Sequence, residues 1–164
     1  MTNQEIYYEQ FRTICNQYYT FDDENFEEFR KITFIKEVEK GEVLQDNYSC
    51  AKYIYFICKG ILRTYFLSED GTIYTKNLFS ENYFSASKVS LITQEDSYLN
   101  IEALENSTLI YIDFAKYKNL VDTKDSFKTF YINYLEKNWI IVKEKNEISL
   151  ILDDATTRYQ KFIQ

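Results

Sequence analysis

The chain is 164 residues long, 45% hydrophobic and 18% aromatic, with 16 Tyr and 13 Phe, enough for one domain with a substantial core and too little for two. Its 26 acidic against 19 basic residues leave a formal charge of −7, which argues against an unaided grip on DNA or RNA, polyanions held largely by Lys and Arg. The absence of any His excludes Ser-His-Asp and Cys-His catalysis and every His-ligated metal or haem site.

The first forty residues read as two helices. Ile6, Tyr7, Phe11, Ile14, Cys15 and Tyr18 recur at helical spacing. A second helix starts at Phe21-Asp22-Asp23-Glu24, where Asp22 is placed to cap the free N–H groups and Phe26, Phe29 and Ile32 form the buried stripe. From Gly41 to Asp113 the pattern changes to short strands rich in β-branched and aromatic residues: 53–57, 61–67, 72–79, 99–103 and 108–112. Lys59-Gly60 and Ser68-Glu69-Asp70-Gly71 supply the turns between them. Strands of this length and spacing predict a small barrel or roll.

Helical periodicity returns at Phe114–Val121, followed by a connection over Asp122–Ser126 and a long helix from about Ser126 to Leu152. At 1.5 Å per residue that helix is about 40 Å long, more than a roll of this size can cover. Positions 127, 131, 134, 138, 141, 145, 148 and 152 form a seam spaced alternately by four and three, interrupted by Asn138 and Lys145. Leu135, Trp139 and Val142 make a second apolar face. One face can pack on the roll and the other on a second copy, so Tyr131, Tyr134, Leu135, Asn138, Trp139, Ile141, Val142 and Ile148 are the candidate homodimer interface. The alternative is that both faces belong to one protomer's core.

The three cysteines, Cys15, Cys50 and Cys58, form no CxxC pair, so zinc-ribbon, thioredoxin-like and iron–sulfur arrangements are absent. Scattered free thiols suit a reducing compartment, where they act as small hydrophobes. No basic stretch precedes an apolar run at the N-terminus, and no apolar run approaches the ~20 residues of a bilayer span. A cytoplasmic protein with no membrane partner is expected.

Two helices, a roll and a long helix, in that order, resemble the sensory domain of Crp/Fnr-type transcription regulators. Lys40-Gly41-Glu42-Val43-Leu44 is similar to that family's opening strand, Tyr55-Phe56-Ile57-Cys58-Lys59-Gly60-Ile61-Leu62-Arg63 to its Y-F-I-x-x-G-x-x-R segment, and Asn100–Ser107 to the strand closing its phosphate-binding cassette. The resemblance implies an α+β, mainly β fold: an antiparallel double-stranded β-helix, or jelly roll, with N-terminal helices and a long C-terminal dimerisation helix. Residues 1–152 form the sensory domain, divided into helices 1–40, roll 41–113 and dimerisation helix 126–152. Residues 153–164 begin the connection to a helix-turn-helix domain absent from this chain, with Asp154 as N-cap of the next helix.

The same resemblance places the ligand. Cyclic-AMP binders of the family hold the cyclic phosphate with an Arg and the ribose with a Glu. Here Ala86 stands at the Glu position and Ser97 near the Arg position, beside Glu95 and Asp96. The guanidinium fork that fits a phosphate is missing, so cyclic-nucleotide binding in the usual mode is not expected. Strand alternation carried over from the family puts Thr64, Lys76, Phe79, Ser85, Ala86, Ser87, Ser97 and Asn100 around the cavity, with Trp139, Val142 and Lys143 approaching from the long helix. These could take a small polar or anionic effector of unknown identity, or be ordinary strand residues. Arg63 reads more simply as a strand arginine paired with a nearby acid.

The expected function is effector sensing and dimerisation in a Crp/Fnr-like regulator, with DNA contacted only through the missing domain. The alternative is a stand-alone ligand-binding or adaptor module. A cupin-like enzyme is disfavoured: no catalytic residue, metal or cofactor is assigned, and Glu102, Glu105 and Asp113 have no evident acid/base partner.

Overall fold

The computed structural model describes residues 2–152 together with Asp154, Thr156, Thr157 and Gln160. Two N-terminal helices come first: α1 (Asn3–Cys15) and α2 (Asp23–Lys31). Thr2 and Glu5 form a reciprocal capping box on α1. Asp22 Oδ1 accepts the Asn25 N–H at 2.7 Å and caps α2 as its sequence position predicts.

The expectation of two helices through residue 40 fails at its end, because β1 occupies Thr33–Val38. There follow β2 (Val43–Gln45), β3 (Tyr53–Lys59), β4 (Leu62–Leu67), β5 (Ile73–Phe79), β6 (Phe84–Ser85), the short helix α3 (Lys88–Thr93), β7 (Asn100–Ala103) and β8 (Ser107–Asp113). The strands form two four-stranded antiparallel sheets, ordered β1-β8-β3-β6 and β2-β7-β4-β5. Thr33 of β1 pairs with Ile112 and Val38 with Ser107, so the roll begins at residue 33, before the predicted boundary at 41.

β3 and β8 are buried on both faces, which is why they read as continuous apolar runs. Tyr55, Ile57, Leu109 and Tyr111 point inward and fill the roll with Val38, Leu62, Ile101 and Ala103. Phe56, Cys58, Ile110 and Ile112 point outward and meet the helices. There Phe11 packs its ring 5.0 Å from Phe29 and 5.1 Å from Phe56. Cys15 and Cys58 sit in this apolar layer, and burial pushes the Cys58 thiol up to about 12. Both cysteines are packing groups.

Asp113 ends β8 and caps α4 (Phe114–Thr123), its Oδ1 accepting the Lys116 N–H at 3.0 Å. The expected five-residue connection is shorter than predicted, since α5 (Asp125–Leu135) begins right after Lys124. The helix then continues through a π-helical turn, Glu136–Ile141, into α6 (Val142–Leu152). The long helix is therefore present, with an irregularity the sequence pattern does not announce. The expected next helix at Asp154–Tyr159 lies mostly outside the described residues, but Asp154 Oδ1 does accept the Thr157 N–H at 2.7 Å. Among the described residues no helix is long and apolar enough to cross a membrane.

Candidate functional site

β6, α3 and the segment leading to β7 form the cassette in which the family resemblance places a ligand. Ser85 pairs with Tyr55 across β6 and β3 and so faces the roll interior; it is fully buried and its Oγ has no hydrogen-bond partner. Ser87 Oγ lies 2.7 Å from Ser97 Oγ, both residues being buried. Ser97 Oγ donates to the Leu99 carbonyl at 2.6 Å and accepts the Leu99 N–H at 3.0 Å. With its single proton committed to Leu99, Ser97 receives its third bond from Ser87. Both hydroxyls are thus used up inside the protein.

The predicted ligand set separates. Ser85, Ala86, Ser87 and Ser97 come together in the cassette, and Thr64 and Phe79 face the same interior opposite Ile101 and Leu62. Asn100 does not join them. It alternates with the inward Ile101 and Ala103, and its Oδ1 accepts the Asn47 N–H at 3.2 Å. Lys143 is exposed on α6 and pairs with Glu147 at 3.6 Å, leaving it outside the cassette. Lys76 is the extra residue of a β-bulge, since Asn77 pairs with Thr64 and Thr75 with Tyr65. Arg63 Nη2 bonds Glu102 Oε2 at 2.8 Å, as its simpler reading anticipates, and is spoken for. Lys76 and Lys143 are exposed and Arg63 is paired, so none of these three cations stands free in the roll interior.

The long helix also departs from its predicted seam. A π turn accommodates one extra residue and rotates the following positions out of phase. Phe127 is fully buried against its own protomer, and the Tyr134 ring lies 5.1 Å from Tyr18 and 5.5 Å from Phe84. Tyr131 packs on Tyr117, and Asn138 Nδ2 donates to the Tyr18 hydroxyl at 3.2 Å. Tyr131, Tyr134 and Asn138, assigned from the sequence to a partner, therefore have partners within the chain. Ile140 and Ile141 at the end of the π turn, and Val142 and Ile148 beyond it, are exposed.

Between α3, the outward face of the β1-β8-β3-β6 sheet, α4 and the long helix lies an apolar cavity of about 200 Å³. Ile54, Phe84, Leu91, Ile112, Tyr117, Tyr134, Leu135 and Trp139 line it, with Lys88 at α3. The Lys88 ammonium sits 3.8 Å from the Trp139 ring centroid. Burial, and secondarily the Lys76 charge, lowers Lys88 to about 8. Sequence reasoning does not find this site: Lys88 lies in a six-residue helix with no periodic signal, and Trp139 is expected at the roll cavity and the dimer face rather than here.

The cyclic nucleotide-binding domain family matches residues 35–124, more than half of the chain. No curated protein sequence matches. Among solved structures, the sensor domain of the transcriptional regulator DNR from Pseudomonas aeruginosa is 13% identical, with a TM-score of 0.66 over 94% of this chain and 96% of that one. The Thermus thermophilus catabolite activator protein is 15% identical, with a TM-score of 0.62 over 81% of this chain and 59% of that one. A cAMP-bound PfPKA-R is 15% identical with a TM-score of 0.62 over 81% of this chain, which spans 55% of that protein's length. At these identities the likeness is one of fold, that of the Crp/Fnr-type sensory domain. The jelly roll with its cassette, helix caps and long terminal helix, and the match across β1 to α4, agree on one conclusion: this chain belongs to the cyclic nucleotide-binding domain family.

Proposed function

We propose that the chain is the sensory and dimerisation domain of a Crp/Fnr-like transcription regulator that does not hold a cyclic nucleotide in the family's usual mode. One observation carries this reading. The helix that begins by packing on the roll ends its π turn at Ile141, 51% exposed, and continues with Ile148 48%, Ile151 82% and Leu152 76% exposed. An apolar row on a helix that its own domain does not cover is a surface for another protein, and a second copy gives it a self-complementary mate. Within this reading residues 1–152 are the sensory unit and residues 153–164 lead toward a DNA-reading domain, consistent with a net charge of −7 that leaves the sensory unit itself ill suited to DNA. The chain acts by binding, in the cytoplasm, and catalyses no reaction.

The Ser87–Ser97 hydrogen bond supports the ligand half of the proposal, because it occupies the cassette with neutral groups where a phosphate needs a cation. Multi-angle light scattering at tens of micromolar is expected to give twice the 19.8 kDa protomer mass, and titration calorimetry with cyclic AMP is expected to give no binding heat. A strict monomer overturns the dimerisation role, and saturable micromolar cyclic AMP binding overturns the ligand statement.

A further inference from the structure

We propose that the cavity between α3 and the long helix is a ligand site for a small amphiphilic carboxylate, its apolar body inside the cavity and its carboxylate on Lys88. This goes beyond the reading above, which concerns the roll interior and the dimer.

Three observations converge. The cavity, at about 200 Å³, is lined by aliphatic and aromatic groups such as Ile54, Phe84, Tyr134 and Leu135. Apolar cavities of ~150 Å³ already admit a benzene ring. A lining of this kind offers nothing to ribose hydroxyls and much to a short alkyl chain or a single aryl ring. Second, Lys88 is a half-buried cation at the cavity with no carboxylate paired to it among the described residues, and the charge acting on it is that of another lysine, Lys76. A partly desolvated ammonium without a counter-ion is costly for the fold. An incoming anion supplies the missing charge. Third, the groups that meet Lys88 are placed by local irregularities: Lys76 by the β5 bulge and Trp139, under the ammonium at 3.8 Å, by the π turn. Bulges and π turns recur at binding sites because they re-aim single side chains. One cation on an apolar cavity selects a monoanion with an apolar body.

Trp139 is the only tryptophan in the chain, so its fluorescence reports the cavity directly. The probes are octanoate and, as its uncharged counterpart, octanol. Octanoate is expected to change the emission saturably and to bind at least tenfold more tightly than octanol. Lys88→Met is expected to weaken octanoate at least tenfold while leaving octanol within twofold, and Lys88→Arg to restore most of the octanoate affinity. The octanoate/octanol comparison on the unmodified protein stands even if a variant folds poorly. No saturable change, equal affinity for the two probes, or unchanged octanoate affinity in folded Lys88→Met overturns the proposal. Light scattering reads the dimer and emission reads the cavity, so a dimer blind to octanoate sinks this inference alone, and a monomer that binds octanoate sinks the dimer alone.

Discussion

Ser87 donates to Ser97 across the cassette at 2.7 Å, and Ser97 in turn donates a hydrogen bond to the Leu99 carbonyl at 2.6 Å. Two hydrogen-bonded neutral hydroxyls therefore occupy the cassette in which the family resemblance would place charged side chains. Ser97→Ala strips the partner from both Ser87 Oγ and the Leu99 N–H, and leaving buried polar groups unpaired costs about 1–3 kcal/mol. Urea unfolding should show a loss in that range. Ser97→Arg should lose more, since it forces a guanidinium into a site 2% exposed. It should also gain no cyclic AMP affinity, because the Glu position is still Ala86.

A second test concerns Arg63 and Glu102, joined at 2.8 Å with side chains 22% and 19% exposed. Arg63 also lies 4.7 Å above the Tyr65 ring. Removing one half of a partly buried pair leaves the other uncompensated. Arg63→Met should cost about 1–2 kcal/mol, and Arg63→Met with Glu102→Leu should recover most of it. A double-mutant cycle by urea denaturation checks this, with a positive coupling expected.

Gly60 is the third. Its φ is +104°, and a Cβ there would lie 2.0 Å from Ser107 Oγ and 2.9 Å from Ser107 Cα. The backbone of Ser107 opens β8 and cannot withdraw without breaking its pairing with Val38. Gly60→Ala should therefore cost at least about 2 kcal/mol, whereas Gly71→Ala meets no atom within 4 Å and costs only the backbone conformation, about 1–2 kcal/mol. Thermal melts of the two variants separate these outcomes.

How much of this was legible in advance depends on the range of the interactions involved. Capping is local: Asp22 could be placed from four residues of sequence, and it caps α2 as expected. The strands of the doubly buried sheet were visible because β3 and β8 are runs of apolar residues. β1 is masked in the sequence because Ile32 continues the three-residue spacing of Phe26 and Phe29, which extends a helical pattern toward Thr33–Val38 although its Thr, Ile and Val favour a strand. The π turn at Glu136–Ile141 was invisible, since a heptad count assumes unbroken α geometry. The apolar cavity exists only where α3, the sheet, α4 and the long helix meet, and that meeting is set by tertiary packing rather than by any local pattern.

The exposed end of the long helix gives a fourth prediction. Ile141, the last residue of the π turn, and Ile148 lie seven residues apart, half exposed and outside the core clusters. Ile141→Asp with Ile148→Asp places two carboxylates on that surface without touching the roll. Light scattering should then give the protomer mass, with far-ultraviolet circular dichroism unchanged. Retention of a dimer would move the interface elsewhere.

The last prediction follows from the cost of Lys88. Its ammonium is lowered from 10.5 to about 8, by burial first and by Lys76 second. Of the three tyrosines lining the cavity, Tyr117, Tyr131 and Tyr134, burial holds Tyr117 and Tyr134 above their ordinary value. Between pH 8 and 10.5 the unfolded chain holds a proton on Lys88 that the folded chain has released, so this group makes stability rise with pH there. Below pH 8 both states are protonated and the penalty is fully present. Lys88→Met removes the penalty together with the cation–π contact to Trp139, leaving a net gain on the order of 1–2 kcal/mol at pH 6.5. Urea midpoints should thus be higher for the variant at pH 6.5, and the gap should at least halve by pH 9.5. The same deprotonation removes the positive charge offered to a carboxylate, so octanoate affinity should fall as the pH is raised past about 8, while octanol affinity should not. A residue that weakens the fold and strengthens binding in the same pH window is placed there for the ligand.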